Sequence, residues 1–429
     1  MFISENNDNL VKNTSHKVVL PFYLYAALSF LVATILLFFS TSAFAGHYFH
    51  PEILAITHTM ALGWGTMIIL GASHQLVPVL IEGRLFSTTL AYSCFAFAAT
   101  GIPMLVYGFY FFNMGWPAQC GGILVNAAIL SYLVNLALSM INSKKENVHA
   151  AFVFTAALWL LLTTLVGLAL VCNFSDIILP NGSLHYLPLH AHIGIIGWFL
   201  LLVIGIGSRL IPMFLISKYS NTKLLWVIYT LINTGLLIFI ILFMYFPAAS
   251  NYLIPVTAIL TALILFGYYC YSSYNQRIRK QVDEQMKISF LAVIMMVLPL
   301  ILLSAIIGLI IFNTQNTRLI LIYGFVVFFG WITTMIFGMT FKTLPFIIWN
   351  KVYHMRAALG KTPNPKDLFS SRIFNRMVIF YLFGFVLFII GIYCTLDFFL
   401  KIGTVCLVIS ALLYNWNILK ILLHKYEKP

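Results

Sequence analysis

From residue 18 to residue 423 the sequence is a train of apolar runs, each long enough to cross a bilayer and joined to the next by a short polar link. A hydrocarbon core about 30 Å thick takes about 20 consecutive apolar residues in helical form. Backbone polar groups inside it must be satisfied internally, which leaves only helices and closed barrels. The runs predict helices near 18–42, 52–80, 87–113, 117–141, 150–172, 187–215, 222–247, 251–273, 287–312, 317–347, 373–396 and 398–423. The expected fold is therefore an all-α polytopic membrane protein of about twelve transmembrane helices, with 1–429 as a single integral membrane domain. Only 8% of the residues are charged, against about 25% in soluble domains, which excludes a water-soluble enzyme.

The formal net charge is +13. In a soluble domain such a balance would point to nucleic acid. Here the bilayer is the expected partner and nucleic acid is not, because basic residues collect in the cytoplasmic loops of membrane proteins. If the N-terminus lies inside, all but Arg318 and Lys401 of the 24 Lys and Arg fall in the loops after even-numbered helices, at inner helix ends or in the termini. That asymmetry places both termini in the cytoplasm, in a cell's inner (cytoplasmic) membrane. The longest polar link, 349–372, carries Lys351, Arg356, Lys361, Lys366 and Arg372. Ala43-Phe44-Ala45 has the form of a signal-peptide cleavage site, but the apolar stretch before it is longer than the 7–15 residues of a signal core, so the first helix is expected to stay. The six cysteines form no CxxC pair, which argues against a cysteine-built metal or redox site.

One pattern occurs three times without gaps: GWGTMIILGASHQLVPVL from Gly63, GWFLLLVIGIGSRLIPMF from Gly197 and GWITTMIFGMTFKTLPFI from Gly330. In each, Trp (Trp64, Trp198, Trp331) precedes Gly (Gly71, Gly205, Gly338) by 7 residues and Pro (Pro78, Pro212, Pro345) by 14. The Trp are 134 and 133 residues apart, and they fall on helices 2, 6 and 10. This period predicts three pseudo-symmetric four-helix repeats, near 18–141, 150–273 and 287–423. It disfavours two halves of six, the plan of many transporters. Three equivalent helices then ring one axis. Gly at a fixed depth allows a close approach of backbones or of a flat cofactor, and Pro ends or kinks each helix.

Ionisable groups inside a membrane are expensive and are functional suspects. No Asp or Glu falls mid-span, so a carboxylate proton relay is not supported. Histidines do fall there. His58 and His192 each stand six residues before the motif Trp, and the third equivalent is Phe325. Two imidazoles at one depth suit axial ligation of one iron, or of another metal ion; satisfied core histidines are the plainer alternative. His190, two residues before His192, faces about 200° away on a helix and is a further candidate ligand. His74 lies about 24 Å further along the axis than His58, so the two cannot share a site, though His74 remains a candidate for a separate metal. Gln75, Arg209 and Lys342 share one register near the cytoplasmic side. They suit haem propionates or lipid phosphate, and equally simple positive-inside anchoring. His47, His50 and His185 lie toward the outer surface, where copper or an electron donor is conceivable; His16, His149, His354 and His424 lie toward the inner side.

In this architecture, and in the segments ITHTMALGWGTMIILGASHQLVPVL and LPLHAHIGIIGWFLLLVIGIGSRLIPMF, the chain resembles divergent members of the haem–copper oxidase subunit I superfamily. It is also loosely similar to nitric-oxide-response haem and copper membrane proteins. The resemblance implies a low-spin haem ligand on helix 2, at His58, and a copper ligand on helix 6, at His190 or His192. It departs from the oxidases on helix 10, which has no histidine between Arg318 and Phe346, and on helix 7, which lacks the paired histidines. The tripeptide His50-Pro51-Glu52 opens helix 2 rather than lying in helix 6, and is coincidental. An oxidoreductase of the cytochrome oxidase or nitric oxide reductase kind with an incomplete ligand set is thus implied. The expected cofactor is haem b, with copper as a second candidate, for electron transfer or for binding O2 or NO. Its pocket would lie between helices 2 and 6, with His58 and His192 axial, room made by Gly63, Gly65, Gly71, Gly194, Gly197 and Gly205, and Trp64 and Trp198 at the border. Respiratory subunits or a cytochrome donor are the implied partners. Two other readings stay open: a metal-ion or small-solute transporter using the same histidines, and an assembly or haem–copper delivery factor.

Overall fold

A computed structural model describes residues 14–143, 147–353 and 362–426. His354, Arg356 and Lys361, singled out in the longest link, lie outside the described residues. The structure is all-helical, with twelve helices long and apolar enough to cross a membrane: α1 His16–Phe39, α2 Pro51–Leu80, α3 Thr88–Tyr110, α4 Trp116–Ile141, α5 Val148–Cys172, α6 Ser183–Leu215, α7 Thr222–Tyr245, α8 Ala249–Asn275, α9 Glu284–Ile311, α10 Thr317–Tyr353, α11 Ser371–Cys394 and α12 Asp397–Leu422. This is the architecture of a multi-pass membrane protein.

Helix starts follow local chemistry. Side-chain oxygens of Ser87, Asn147, Asn221 and Asn316 accept from the backbone N–H three residues on, at 3.2, 2.9, 3.0 and 3.2 Å, satisfying a donor that the helix leaves orphaned. Of the two outcomes expected at the motif prolines, an end or a kink, the helices show no end at the proline. Helix α2 runs through Pro78 to Leu80, α6 through Pro212 to Leu215, and α10 through Pro345 as far as Tyr353. Proline deprives the carbonyl four residues earlier of its donor. In α2 that carbonyl, of His74, accepts from the Thr14 hydroxyl at 2.6 Å. In α6 the Ser208 carbonyl accepts from the Tyr269 hydroxyl at 3.0 Å. With the freed oxygen satisfied from a neighbouring segment, the helix continues.

Helices α2, α6 and α10 form the interior. Their most apolar windows are 78, 61 and 78% buried, whereas no other helix exceeds 50%. All three carry a π-helical segment at the same place in the motif register, Thr59–Thr66, Ile193–Leu200 and Val326–Ile332. Each begins just after His58, His192 or Phe325. The outer helices surround them, α1 meeting α12. Three sectors result: α2 to α6 behind α3–α5, α6 to α10 behind α7–α9, and α10 to α2 behind α11, α12 and α1.

At the depth of His58 and His192 the third sector is filled by aromatic rings, while nearer its outer end a smaller cavity of about 320 Å³ lies among Phe39, Thr41, Phe44, Gly391 and Leu400. Phe325 stacks on Phe329, Phe385 and Phe388 at 4.8, 5.6 and 4.5 Å. Deeper in, Trp64 stacks on Phe30 at 4.7 Å and meets Tyr414 edge-on at 5.1 Å. Among lipids, helices gain little from apolar burial itself, so tight packing and interhelical hydrogen bonds carry the association. The other two sectors are not filled.

Candidate functional site

The first two sectors share a cavity of about 620 Å³ at the end of the bundle away from the termini, lined by α2–α10. That volume lies within the usual range for cofactor and ligand sites. His58, His190 and His192 all line it and are half-buried. No Asp, Glu, Lys or Arg among the described residues does so.

His58 projects from the last turn of α2 before its π segment. Its ring packs on Phe109 of α3 at 4.4 Å, and its Nδ1 bonds the Leu54 carbonyl at 2.8 Å. Across from it stands His190 of α6, with ring centres 6.2 Å apart and planes inclined by 18°. His190 Nδ1 bonds the Thr163 carbonyl on α5 at 3.0 Å. A carbonyl partner means that each Nδ1 donates, which leaves each Nε2 with a lone pair, the tautomer in which metal-ligating histidines are commonly held. Gly167 makes room for this: a Cβ there would stand 2.8 Å from His190 Cε1.

His192 looks the other way. Its Nδ1 bonds the Pro188 carbonyl at 2.7 Å, and its Nε2 accepts from the Tyr323 hydroxyl of α10 at 3.3 Å. The expected facing pair, His58 with His192, is therefore replaced by His58 with His190. The physical reason is rotational. His58 and His190 meet between α2 and α6, whereas His192, two residues on from His190 and so about 200° round the helix, faces α10 instead. In the 134/133 register Tyr323 is the counterpart of His190. The two contacts, His58 with His190 and His192 with Tyr323, are thus the same contact one sector on. Sequence reasoning missed Tyr323 and Gly167; for Tyr323 the repeat register, applied to His190, was the available signal.

The glycines do not open a slot. A Cβ on Gly63 would meet Ser29 Oγ at 2.7 Å, on Gly71 Phe22 Cβ at 2.7 Å, on Gly197 Trp159 at 2.7 Å, on Gly205 Phe152 Cβ at 2.3 Å, and on Gly65 the Phe199 ring at 2.7 Å. These positions let α1, α5 and Phe199 pack closely, and the space expected for a macrocycle is already taken. Gly194 alone of that set both lines the cavity and meets nothing closer than Thr163 at 3.1 Å. Trp64 is wholly buried away from the cavity, while Trp198 borders it. Their indole N–H groups run between repeats: Trp64 donates to Thr333 at 3.1 Å and Trp198 to Thr66 at 3.0 Å.

His74 is apart, as its spacing requires. It is 1% exposed, wedged between Phe22 and Tyr132 at 5.4 Å each, and bonds the Leu70 carbonyl at 2.7 Å. Neither Arg209 nor Lys342 lines the cavity. Arg209 is exposed, and Lys342 pairs with Asp283, which Arg279 also holds at 2.7 Å. Among the described residues no three of His, Cys, Asp and Glu gather as a metal cluster.

Two imidazoles on opposite sides of one metal ion, with bonds of about 2.0 Å, have ring centres roughly 6 Å apart, and His58 and His190 have that separation. Two nitrogen ligands in apolar walls suit the axial positions of an iron macrocycle, whose remaining four ligands are its own. The chain matches no protein-family model and no curated protein.

Proposed function

We propose that this chain is a haem b-binding integral membrane protein on a scaffold of the haem–copper oxidase subunit I kind, with His58 and His190 as the axial pair. The observation that carries the reading is the 6.2 Å approach of those two rings inside an apolar cavity, each with Nδ1 tied to a backbone carbonyl. Bound there, haem would be held by His58 and His190 and would supply one-electron transfer or binding of O2 or NO. The chain's own part is to hold both imidazoles as neutral Nε2 ligands, to exclude water with apolar walls, and to leave the macrocycle without a charged neighbour. The reading places the cavity end at the outer side of an inner membrane, with both termini cytoplasmic and a respiratory subunit or cytochrome as electron donor.

The test is a reduced-minus-oxidised spectrum with iron and copper analysis, on protein purified from cells supplied with haem. A b-type band with one iron per chain, lost in both His58→Ala and His190→Ala, is the expected result. Colourless wild-type protein would overturn the reading. Copper bound in place of iron would replace haem by a two-histidine copper site.

A further inference from the structure

The smaller cavity, of about 320 Å³, lies in the third sector at the end of the bundle away from the termini, where the turn Thr41–Ala45 after α1 meets the link between α11 and α12. We propose that it holds the headgroup of a zwitterionic phospholipid bearing a primary amine, with Lys401 and the Thr41 and Ser42 hydroxyls on its phosphate and Asp397 on its ammonium.

Charge placement points to that class. The basic residues gather toward the termini, and only Arg318 and Lys401 stand at this end. Both come to one link of the chain. Arg318 reaches the Tyr393 carbonyl at 3.5 Å, and Lys401 lines the cavity together with Thr395 and Asp397. Lys401 sits one turn into α12, close to the positive end of the helix, which disfavours a cation. No side chain caps that N-terminus. An anion answers both features, taking up the ammonium and the free amide hydrogens.

Asp397 stands four residues before Lys401, a spacing at which opposite charges ordinarily pair. These two do not. The Lys401 ammonium donates instead to the Phe38 carbonyl at 2.9 Å, with the Phe38 ring 4.9 Å away. An ammonium has three donors, so two are left for a ligand. The Asp397 carboxylate has no partner among the described residues. A positive and a negative group that leave each other free suit a ligand carrying both charges. The turn after α1 adds hydroxyls. Ser40 and Thr41 are 3 and 2% exposed, and the side chains of Ser40, Thr41 and Ser42 bond to none of the described residues.

The surroundings favour a lipid over a soluble zwitterion. Phe39, Thr395 and Asp397 of the lining are themselves exposed, so the cavity opens to the surface. Phe39, Tyr393 and Phe398, at the ends of α1, α11 and α12, are 70, 68 and 70% exposed. Aromatic side chains at helix ends mark the headgroup level of a bilayer, and a phospholipid presents its phosphate and amine at that level.

Delipidated full chain in detergent is titrated with dioleoyl phosphatidylethanolamine, phosphatidylcholine or phosphatidylglycerol, and native mass spectrometry counts the lipids bound. The inference does not rest on haem, and the readout is binding alone. The wild type is expected to hold one phosphatidylethanolamine, preferred roughly fivefold over phosphatidylcholine, whose methylated amine cannot donate to Asp397. Lys401→Gln is expected to weaken phosphatidylethanolamine roughly tenfold. Asp397→Asn is expected to abolish the preference over phosphatidylcholine without weakening phosphatidylglycerol. Lys420→Gln, in the last turn of α12, is expected to bind as wild type. Glycerophosphoethanolamine, which has no acyl chains, is expected not to displace the lipid at equal concentration; displacement would give the site to a soluble zwitterion and overturn the lipid assignment. Monodisperse elution and unchanged thermal unfolding show that each variant is folded. Equal binding of the ethanolamine and choline lipids by the wild type, or no binding at all, would overturn the proposal, as would wild-type affinity in folded Lys401→Gln.

Discussion

Trp64, Trp198 and Trp331 occupy one register and meet two fates. The first two donate to threonines of another repeat. In that register the partner of Trp331 would be residue 200, a leucine, and the Trp331 indole N–H has no hydrogen-bond partner among the described residues. Trp331→Phe should therefore cost less stability than Trp198→Phe, by roughly 1 kcal/mol, the worth of one interhelical hydrogen bond. Thermal unfolding of the detergent-solubilised variants measures the difference. Gly167→Ala should displace His190, since its Cβ would stand 2.8 Å from Cε1. The expected outcome is a haem content well below wild type in a protein that still elutes as a single species. Single residues were only partly legible. His58 and His192 stood out because the repeat doubles them, yet spacing alone does not say which imidazole faces which. That depends on the direction of each side chain around its helix, and unlike positions meet. Gly167 carries no sequence signal, because its role is set wholly by a histidine on another helix.

Element boundaries were largely legible, because apolar run length and capping residues are local properties. What was not legible is how a helix survives its own proline. In α6 the carbonyl freed by Pro212 accepts from Tyr269 of α8, a contact 61 residues distant. Tyr269→Phe should leave that buried oxygen unpaired and cost about 1–3 kcal/mol. Pro212→Ala restores an N–H at position 212, so Tyr269→Phe should cost clearly less in that background. A double-mutant cycle on unfolding free energies reads the coupling, and additive effects would contradict the account. The π segments were likewise invisible to a reading by 3.6-residue periodicity. They follow His58, His192 and Phe325, and π segments are frequent at functional positions.

In the whole molecule, one sector of three is filled at the depth of the motif histidines and two are hollow there. The difference follows from side chains at one register: Phe325 where the others have histidine, and Phe385 and Phe388 stacked beside it. Phe325→Ala should cost about 3–5 kcal/mol, as expected for emptying a packed core site. His190→Ala, at a cavity wall, should cost far less while abolishing cofactor binding. Parallel unfolding curves test this, and equal destabilisation would contradict it. The twelve-helix plan was legible in run lengths, whereas the location of the cavity depended on which aromatic side chains fill the space between helices, which no periodicity encodes.

The central claim is that His58 and His190 grip one iron. The direct measurement is the electron paramagnetic resonance spectrum of the ferric protein. The account predicts a low-spin signal from six-coordinate haem that disappears in His58→Ala and in His190→Ala and persists in His192→Leu. A low-spin signal that survives His190→Ala, or one lost only with His192, would contradict it.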